Sequence, residues 1–247
     1  MILTIAAKEL RALFNAPLAW VVLAVLQVIL AWIFLVSLDR YIALQPQLVQ
    51  YPNPPGVTEF IVAPMFGSGA VVLLMLVPLL SMRLIAEERR NQTLTLLVSA
   101  PVSMTEIVVG KFLGLTLFLF AVVTLMAVMA LSLIAGGKID FGLLAANVIG
   151  LTLLGGAFAA IGLYISSLTA NPVIAAVATL ASLLVLWILN MGAPDPGSIL
   201  HLLSLMKHYE SFAKGVLDTG DVAYYALLIA LFLLLAARRL DRDRLAS

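Results

Sequence analysis

The chain has 247 residues, of which 63% are hydrophobic and only 11% are charged, and its mean hydropathy is +1.14. A soluble domain carries roughly 25% charged residues, so this composition cannot cover a water-exposed surface and predicts an integral membrane protein. The formal net charge of +1 carries little information by itself, and the absence of cysteine excludes a disulfide framework and thiolate metal sites.

The first residues form an amphipathic pattern ahead of the first long apolar run. Lys8, Glu9 and Arg11 lie off the helical face on which the apolar side chains of residues 2–14 cluster. This pattern predicts a short elbow helix over residues 1–17 that lies in the membrane interface, and Asn15-Ala16-Pro17 turns the chain into the bilayer. The alternative is a plain extension of the first span.

Six apolar segments are long enough to cross a membrane, which takes about 20 mostly apolar residues. None has Asp, Glu, Lys or Arg in its interior, and Lys111 lies at the edge of the third. They predict a transmembrane domain over residues 18–240, followed by a tail over 241–247. The six segments are 18–38, 61–82, 108–134, 143–166, 172–190 and 221–237.

The second span is rich in residues that bend helices or let them approach closely. It contains Pro64, Gly67, Gly69 and Pro78. Proline frees carbonyl groups in a membrane helix, often where the helix lines a cavity, so these four residues are candidates for lining a pathway. The alternative is a kink with a packing role only. The small residues of the fourth span, from Gly150 to Gly162, favour close helix packing.

The segment between the second and third spans, residues 83–107, combines charge with an apolar patch. Glu87, Glu88 and Arg89 precede it, and Leu94, Leu97 and Val98 share one face of a short helix. Pro101 ends that helix, and Ser103 with Glu106 has the spacing of a capping box that starts the next one. The short helix either fits a groove on a partner protein or rests on lipid beside solvated charges.

The lysines and arginines predict the orientation. With the N-terminus in the cytoplasm, ten of the fourteen fall inside, including those of residues 83–111 and 238–244. Residues 191–220 then form an outer segment that is too short to span, and it is either a lid over an exit or an interfacial cap. His201 and His208 within it are interpreted as solvated or packed, because two histidines alone make a poor metal site.

The spans lack the groups that energy-coupled chemistry needs. An ionisable residue inside a span would indicate ion coupling or catalysis, and the span interiors have none. The phosphate-binding pattern G-x-x-x-x-G-K-[ST] is also absent. We therefore expect no catalytic residue, metal or cofactor in this chain, and any ATP hydrolysis would belong to a partner protein.

Three stretches resemble a known family. The sequence AEERRNQTLTLLVSAPVSMTEIVVGKF, which begins at Ala86, resembles the signature between the second and third spans of ABC-2 type permeases. The resemblance continues through residues 161–177 and 200–225, where it is closest to the gliding-motility and nitrous-oxide-reductase-maturation branch. Asn91-Gln92, where glycine is usual, and Thr95, where an acid is common, depart from the family pattern. The matching residues are Glu87, Glu88, Thr93, Leu94, Leu97 and Pro101.

The resemblance implies an all-α fold like that of a type V exporter, with six transmembrane helices, an elbow helix and a cytoplasmic coupling helix. It implies a bacterial inner-membrane permease with both termini in the cytoplasm, whose partners are two copies of an ABC ATP-binding subunit that carries the ATP and Mg. A second permease subunit would complete a homodimer, with lipid around it and no nucleic acid. The proline-rich loop 39–60 suits a periplasmic accessory protein. The rival functions are an ATP-independent channel and a membrane scaffold for an envelope machine.

Overall fold

The structure, a computed structural model, describes residues 1–48, 56–93, 102–136, 138–189 and 202–246. These residues form helices joined by short connections, with no β-strand among them, so the predicted all-α membrane fold is confirmed. The described helices are α1 (Ile2–Asn15), α2 (Pro17–Leu48), α3 (Thr58–Arg90), α4 (Met104–Leu131), α5 (Phe141–Leu168), α6 (Pro172–Ile188), α7 (Leu205–Ala213) and α8 (Thr219–Ala246).

Five of these helices are long and apolar enough to cross a bilayer. The first four predicted spans correspond to α2, α3, α4 and α5, and the sixth corresponds to α8. The fifth predicted span is α6, an apolar helix of 17 residues. The chain that follows it, residues 190–201, lies outside the described residues.

Side-chain caps begin three of the long helices where the sequence offers them. The hydroxyl of Ser103 accepts a hydrogen bond from the backbone N–H of Glu106, whose carboxylate accepts from the N–H of Ser103 at 3.1 Å, so the predicted capping box is confirmed. Asp140 caps α5 by accepting from two backbone N–H groups. Asn171 caps α6 ahead of Pro172.

The chain runs back and forth between two ends of the bundle, which we call the near end and the far end. The near end carries α1, the last turns of α3, α5 and α8, and the first turns of α4 and α6. The far end carries the starts of α3 and α5. A hydrogen bond joins these two helices, in which the backbone N–H of Asp140 donates to the Thr58 hydroxyl at 2.9 Å. At the near end, Arg89 of α3 meets Ser167 of α5.

Helix α5 occupies the centre of the bundle. It packs against α3, α4, α6, α7 and α8, and most of its length is buried. Its glycines make this possible: a Cβ on Gly150 would lie 2.4 Å from Phe212 Cβ, and one on Gly162 would lie 2.6 Å from Ser81 Cβ. The packing role predicted for the small residues of this span agrees with these contacts.

The elbow helix α1 packs tightly against α4. A Cβ on Gly110 would lie 2.7 Å from Ile5 Cβ, and one on Gly114 would lie 2.7 Å from Glu9 Cβ. Lys8 and Arg11 are exposed, as the amphipathic pattern predicts, whereas Glu9 faces α4. Glu9, which the pattern places off the apolar face, is brought inside because the glycines of α4 let the backbone of α1 come close.

The short helix α7 packs into the far end of the bundle between α5 and α8. Its buried face consists of Leu205, His208, Tyr209 and Phe212, whereas Leu203 just before it is 44% exposed. Ser204 begins the helix and Gly215, with φ of +80°, ends it. Burial raises the pKa of the Tyr209 phenol, whose hydroxyl has no hydrogen-bond partner among the described residues.

Candidate partner-docking site

The docking segment, residues 83–107, leaves α3 and enters α4 at the near end. The structure describes its two flanks, residues 83–93 and 102–107. Four of the predicted partner contacts, Leu94, Leu97, Val98 and Pro101, lie outside the described residues, so their docking role stays a prediction. The flanks nevertheless show how the segment is attached to the bundle.

A wide turn of π-helix marks the point where α3 becomes the docking segment. The regular α-helix Ala63–Ser81 gives way to π-helical hydrogen bonding over Arg83–Glu87. Ser166 of α5 fits this turn: its buried hydroxyl accepts from the backbone N–H groups of Ile85 at 3.2 Å and Ala86 at 3.0 Å, and donates to the carbonyl of Met82. The serine thus supplies hydrogen bonds that an unbroken α-helix would have made internally.

The end of α3 has a geometry that normally favours glycine. Gln92 has φ of 58°, in the left-handed region. Its N–H donates to the carbonyl of Arg89 at 3.2 Å, and the N–H of Thr93 donates to that of Glu88 at 3.0 Å, which is the pairing of a Schellman motif. The departure from the family pattern at this position therefore places a residue with a Cβ where the backbone disfavours one. Helix α7 ends in the same motif with Gly215.

We expect Gln92→Gly to stabilise the protein by about 1 kcal/mol, because it removes the steric cost of a left-handed residue with a Cβ. Gln92→Ala is the matched control, since alanine keeps the Cβ and the strain. Thermal unfolding of the purified protein measures both effects. Equal stabilisation by the alanine and glycine variants would contradict this explanation.

Lys111 joins three helices at the near end. Its side chain is 3% exposed, and its ammonium Nζ lies 2.7 Å from Glu88 Oε1 of α3 and 3.2 Å from Glu9 Oε2 of α1. All three side chains are largely shielded from water, so removal of one partner would leave a buried charge without compensation. Lys111, which the sequence placed at the edge of the third span, is the centre of a cluster of one cation and two carboxylates that the sequence did not predict.

Arg89 makes a second connection, to the other side of the bundle. Its guanidinium donates to the carbonyl of Ser167 at the end of α5 at 2.9 Å, and it pairs with the carboxylate of Asp243 in α8. Arg239, one turn earlier in α8, shares the same carboxylate at 3.5 Å. The last turn of α3 is therefore held by α4, α5 and α8.

The described contact candidates divide into two groups. Glu88 and Arg89 point into the bundle and are bonded within the chain. Glu87 is about half exposed beside Arg83, and Thr93 is exposed. Any contact of these four residues with a partner stays a prediction. Solvent exposure favours such a contact for Glu87 and Thr93.

Sequence reasoning missed Lys111, Ser166 and Asp243 as parts of this site. Only Lys111 left a readable signal, because it is flanked by Gly110 and Gly114, whose spacing permits close approach by another helix. Ser166 and Asp243 belong to an apolar span and a charged tail, and nothing in their local pattern indicates their partners.

The four residues predicted to line a pathway lie in two environments. Pro64 is exposed and lines two cavities of about 370 and 550 Å³ at the far end, both with Glu59. The Cα of Gly67 faces open space, where an added Cβ would meet nothing within 4 Å. Gly69 and Pro78 are buried, and a Cβ on Gly69 would lie 2.5 Å from Met126 Cε. Pathway lining stays a prediction for all four residues. The open surroundings of Pro64 and Gly67 favour it for these two.

Comparison with protein families gives a match over nearly the whole chain. A family model described as ABC-2 family transporter protein matches residues 3–245. No curated protein matches the chain. The matched region includes the docking segment and all but the outermost residues of the described helices.

Proposed function

Because this chain belongs to the ABC-2 family of transporter proteins, we propose that it transmits work from a separate ATP-binding subunit into the membrane. As a family member, it is the integral membrane permease of an ABC transporter. The proposed entry point for the work is the docking segment, whose predicted short apolar helix with Leu94, Leu97 and Val98 would dock on the ATP-binding subunit.

The observation that carries this proposal is the bracing of the docking segment. Ser166, Lys111 and Asp243 hold the last turns of α3 from three different helices. The Ser103 capping box fixes the start of α4 on the other side. A segment bonded at both flanks to the spans can transfer a push to them, whereas a loop that only rests on lipid would not need such contacts.

We propose the following assembly around it. Two ATP-binding subunits, which hold the ATP and Mg, bind a homodimer of this chain in the bacterial inner membrane with both termini in the cytoplasm. Nucleotide cycling moves the docking segment and opens or closes a pathway beside Pro64 and Gly67. The result is export of a substrate or a mechanical signal across the membrane. This chain contributes no catalytic residue, and an accessory protein would bind on the periplasmic side.

The test of docking uses the complex purified from its native membrane through a tag on this chain. We expect Leu94→Asp with Leu97→Asp to reduce the co-purified ATPase activity at least about tenfold, since two charges would be buried in an apolar groove. Thr95→Asp is the control, because an acid is common there in the family, and it should retain the activity. Undiminished ATPase activity in the double variant at equal yield would refute the docking proposal.

A further inference from the structure

A second buried cluster of ionisable groups lies at the far end of the bundle, away from the docking segment. The Nδ1 of His208 in α7 is 2.6 Å from Asp221 Oδ1 in the first turn of α8. The other ring nitrogen, Nε2, is 3.0 Å from the carbonyl oxygen of Leu202. Both His208 and Asp221 are 9% exposed.

These contacts fix how many protons the pair holds. The ring nitrogens face a carboxylate oxygen and a carbonyl oxygen, neither of which can donate unless the carboxylate is protonated. Each of the two contacts needs one proton, so with both contacts formed the imidazole and the carboxylate together hold two protons. This count is the same whether His208 or Asp221 carries the proton in the contact between them. Loss of one proton leaves two lone pairs facing each other, and one contact must then open.

Among the described residues, the side chains around the imidazole give it no charged partner other than Asp221. Tyr224 of α8 stacks on the imidazole at 3.8 Å between ring centroids, and Tyr225 lies edge-on to it. Tyrosine titrates well above neutral pH. The remaining charged groups on or beside α7 make no hydrogen bond or ion pair to His208 in the described part of the chain. They are Lys207 and Glu210 of α7, Lys214 after it, Glu59 of α3 and Asp140 at the start of α5.

Hydrogen bonds from His208 and from two tyrosines of α8 hold the segment that leads into α7. Beside the bond from His208 to Leu202, the Tyr224 hydroxyl donates to the carbonyl of Leu203 and the Tyr225 hydroxyl to that of Leu205, each at 2.8 Å. The carbonyls of Leu203 and Leu205 are thus bonded to α8, and that of Leu202 is connected to α8 through His208 and Asp221. The histidine bond is the first of these ties and the one that depends on a proton.

We propose that His208 and Asp221 form a proton-dependent latch that holds residues 202–204 against α8 at the far end of the bundle. The latch is closed when the pair holds two protons. It weakens as the pH rises and the pair loses one, because the imidazole can then bond to Asp221 or to Leu202 but not to both. The end of the outer connection is therefore sensitive to the pH on the far side of the membrane. This inference is independent of the docking proposal and needs no ATP-binding subunit.

The chain lacks cysteine, so two introduced cysteines can carry spin labels without background labelling. Leu202→Cys and Ile134→Cys use exposed positions, one on the latched segment and one at the far end of the helix continuing α4. Double electron–electron resonance on the purified, reconstituted chain then measures their distance distribution. We expect one main distance at about pH 6 and a displaced population about tenfold larger at about pH 9, the effect of losing one charge-assisted hydrogen bond.

Two variants distinguish a latch from a merely structural contact. Asp221→Asn supplies an amide donor to Nδ1, so neutral histidine can keep both bonds, and the distance should stay at its low-pH value throughout. His208→Asn cannot bridge both partners, and it should show the displaced population at both pH values. A wild-type distribution that does not change with pH, or an equal change in Asp221→Asn, would overturn the proposal.

Discussion

Replacing Lys111 with methionine is expected to destabilise the protein by about 3–5 kcal/mol, the cost of removing one partner from a buried ion pair. Methionine fills a similar volume, so the packing between α1 and α4 changes little. What it removes is the ammonium that lies 2.7 Å from Glu88 and 3.2 Å from Glu9. Two shielded carboxylates are then left to repel each other. Chemical unfolding of the purified protein in detergent measures the loss.

The control for this prediction neutralises the whole cluster. In the triple variant Glu9→Gln, Glu88→Gln and Lys111→Met, no buried charge is left without a partner, and most of the lost stability should return. The exchange Glu88→Lys with Lys111→Glu keeps one cation in the cluster but places two carboxylates side by side at positions 9 and 111, so it should recover less stability than the triple variant. A single Lys111→Met variant that unfolds like the wild type would show that the cluster contributes nothing to the fold.

Gly162→Ala is expected to destabilise the protein by about 2–3 kcal/mol, because overpacking a tight interior forces backbone shifts. The new Cβ would lie 2.2 Å from Ser81 Oγ and 2.6 Å from Ser81 Cβ, and the second atom cannot move away by rotating a side chain. The contact lies where α3, α5 and α6 meet, since Thr179 Cγ2 is 3.3 Å from the same point. Thermal unfolding of the reconstituted protein measures the effect.

Gly155 in the same helix provides the matched control. A Cβ there would meet Leu73 and Leu119 at 3.5 and 3.6 Å, which is ordinary van der Waals distance. Gly155→Ala should therefore be neutral or slightly stabilising, since alanine favours the helix. Ser81→Gly should restore stability to Gly162→Ala by removing both crowded atoms. Equal losses from the two alanine variants would contradict this account.

Local sequence signals predicted much of the fold. The Ser103–Glu106 capping box, the break at Asn171-Pro172 and the amphipathic pattern of α1 each depend on residues a few positions apart. Such short-range rules hold because the first turn of a helix satisfies its free N–H groups with neighbouring side chains. The candidate docking site was predicted from the same kind of signal, since its apolar stripe and proline lie within one short segment.

The contacts that hold that site could not be predicted in the same way. Glu9 and Lys111 are 102 residues apart, and Ala86 and Ser166 are 80 apart. No period in an apolar chain indicates which helix will lie beside which, because nearly every face of every span is hydrophobic. The sequence therefore placed Lys111 at the boundary of a span. In the structure, α1 packs on the glycines that flank Lys111 and makes it the centre of a buried cluster.

The amino-acid sequence by itself determined that this protein lies in a membrane, and it predicted that the spans hold no energy source and that a partner acts on residues 83–107. Composition and local patterns suffice for these conclusions, because insertion in a bilayer and helix capping depend on each segment separately. Only the tertiary structure decided which charges are buried together, at Lys111 near one end and at His208 near the other. The reason is physical: a charge in an apolar interior is stable only beside a partner, and the folded arrangement of helices chooses that partner.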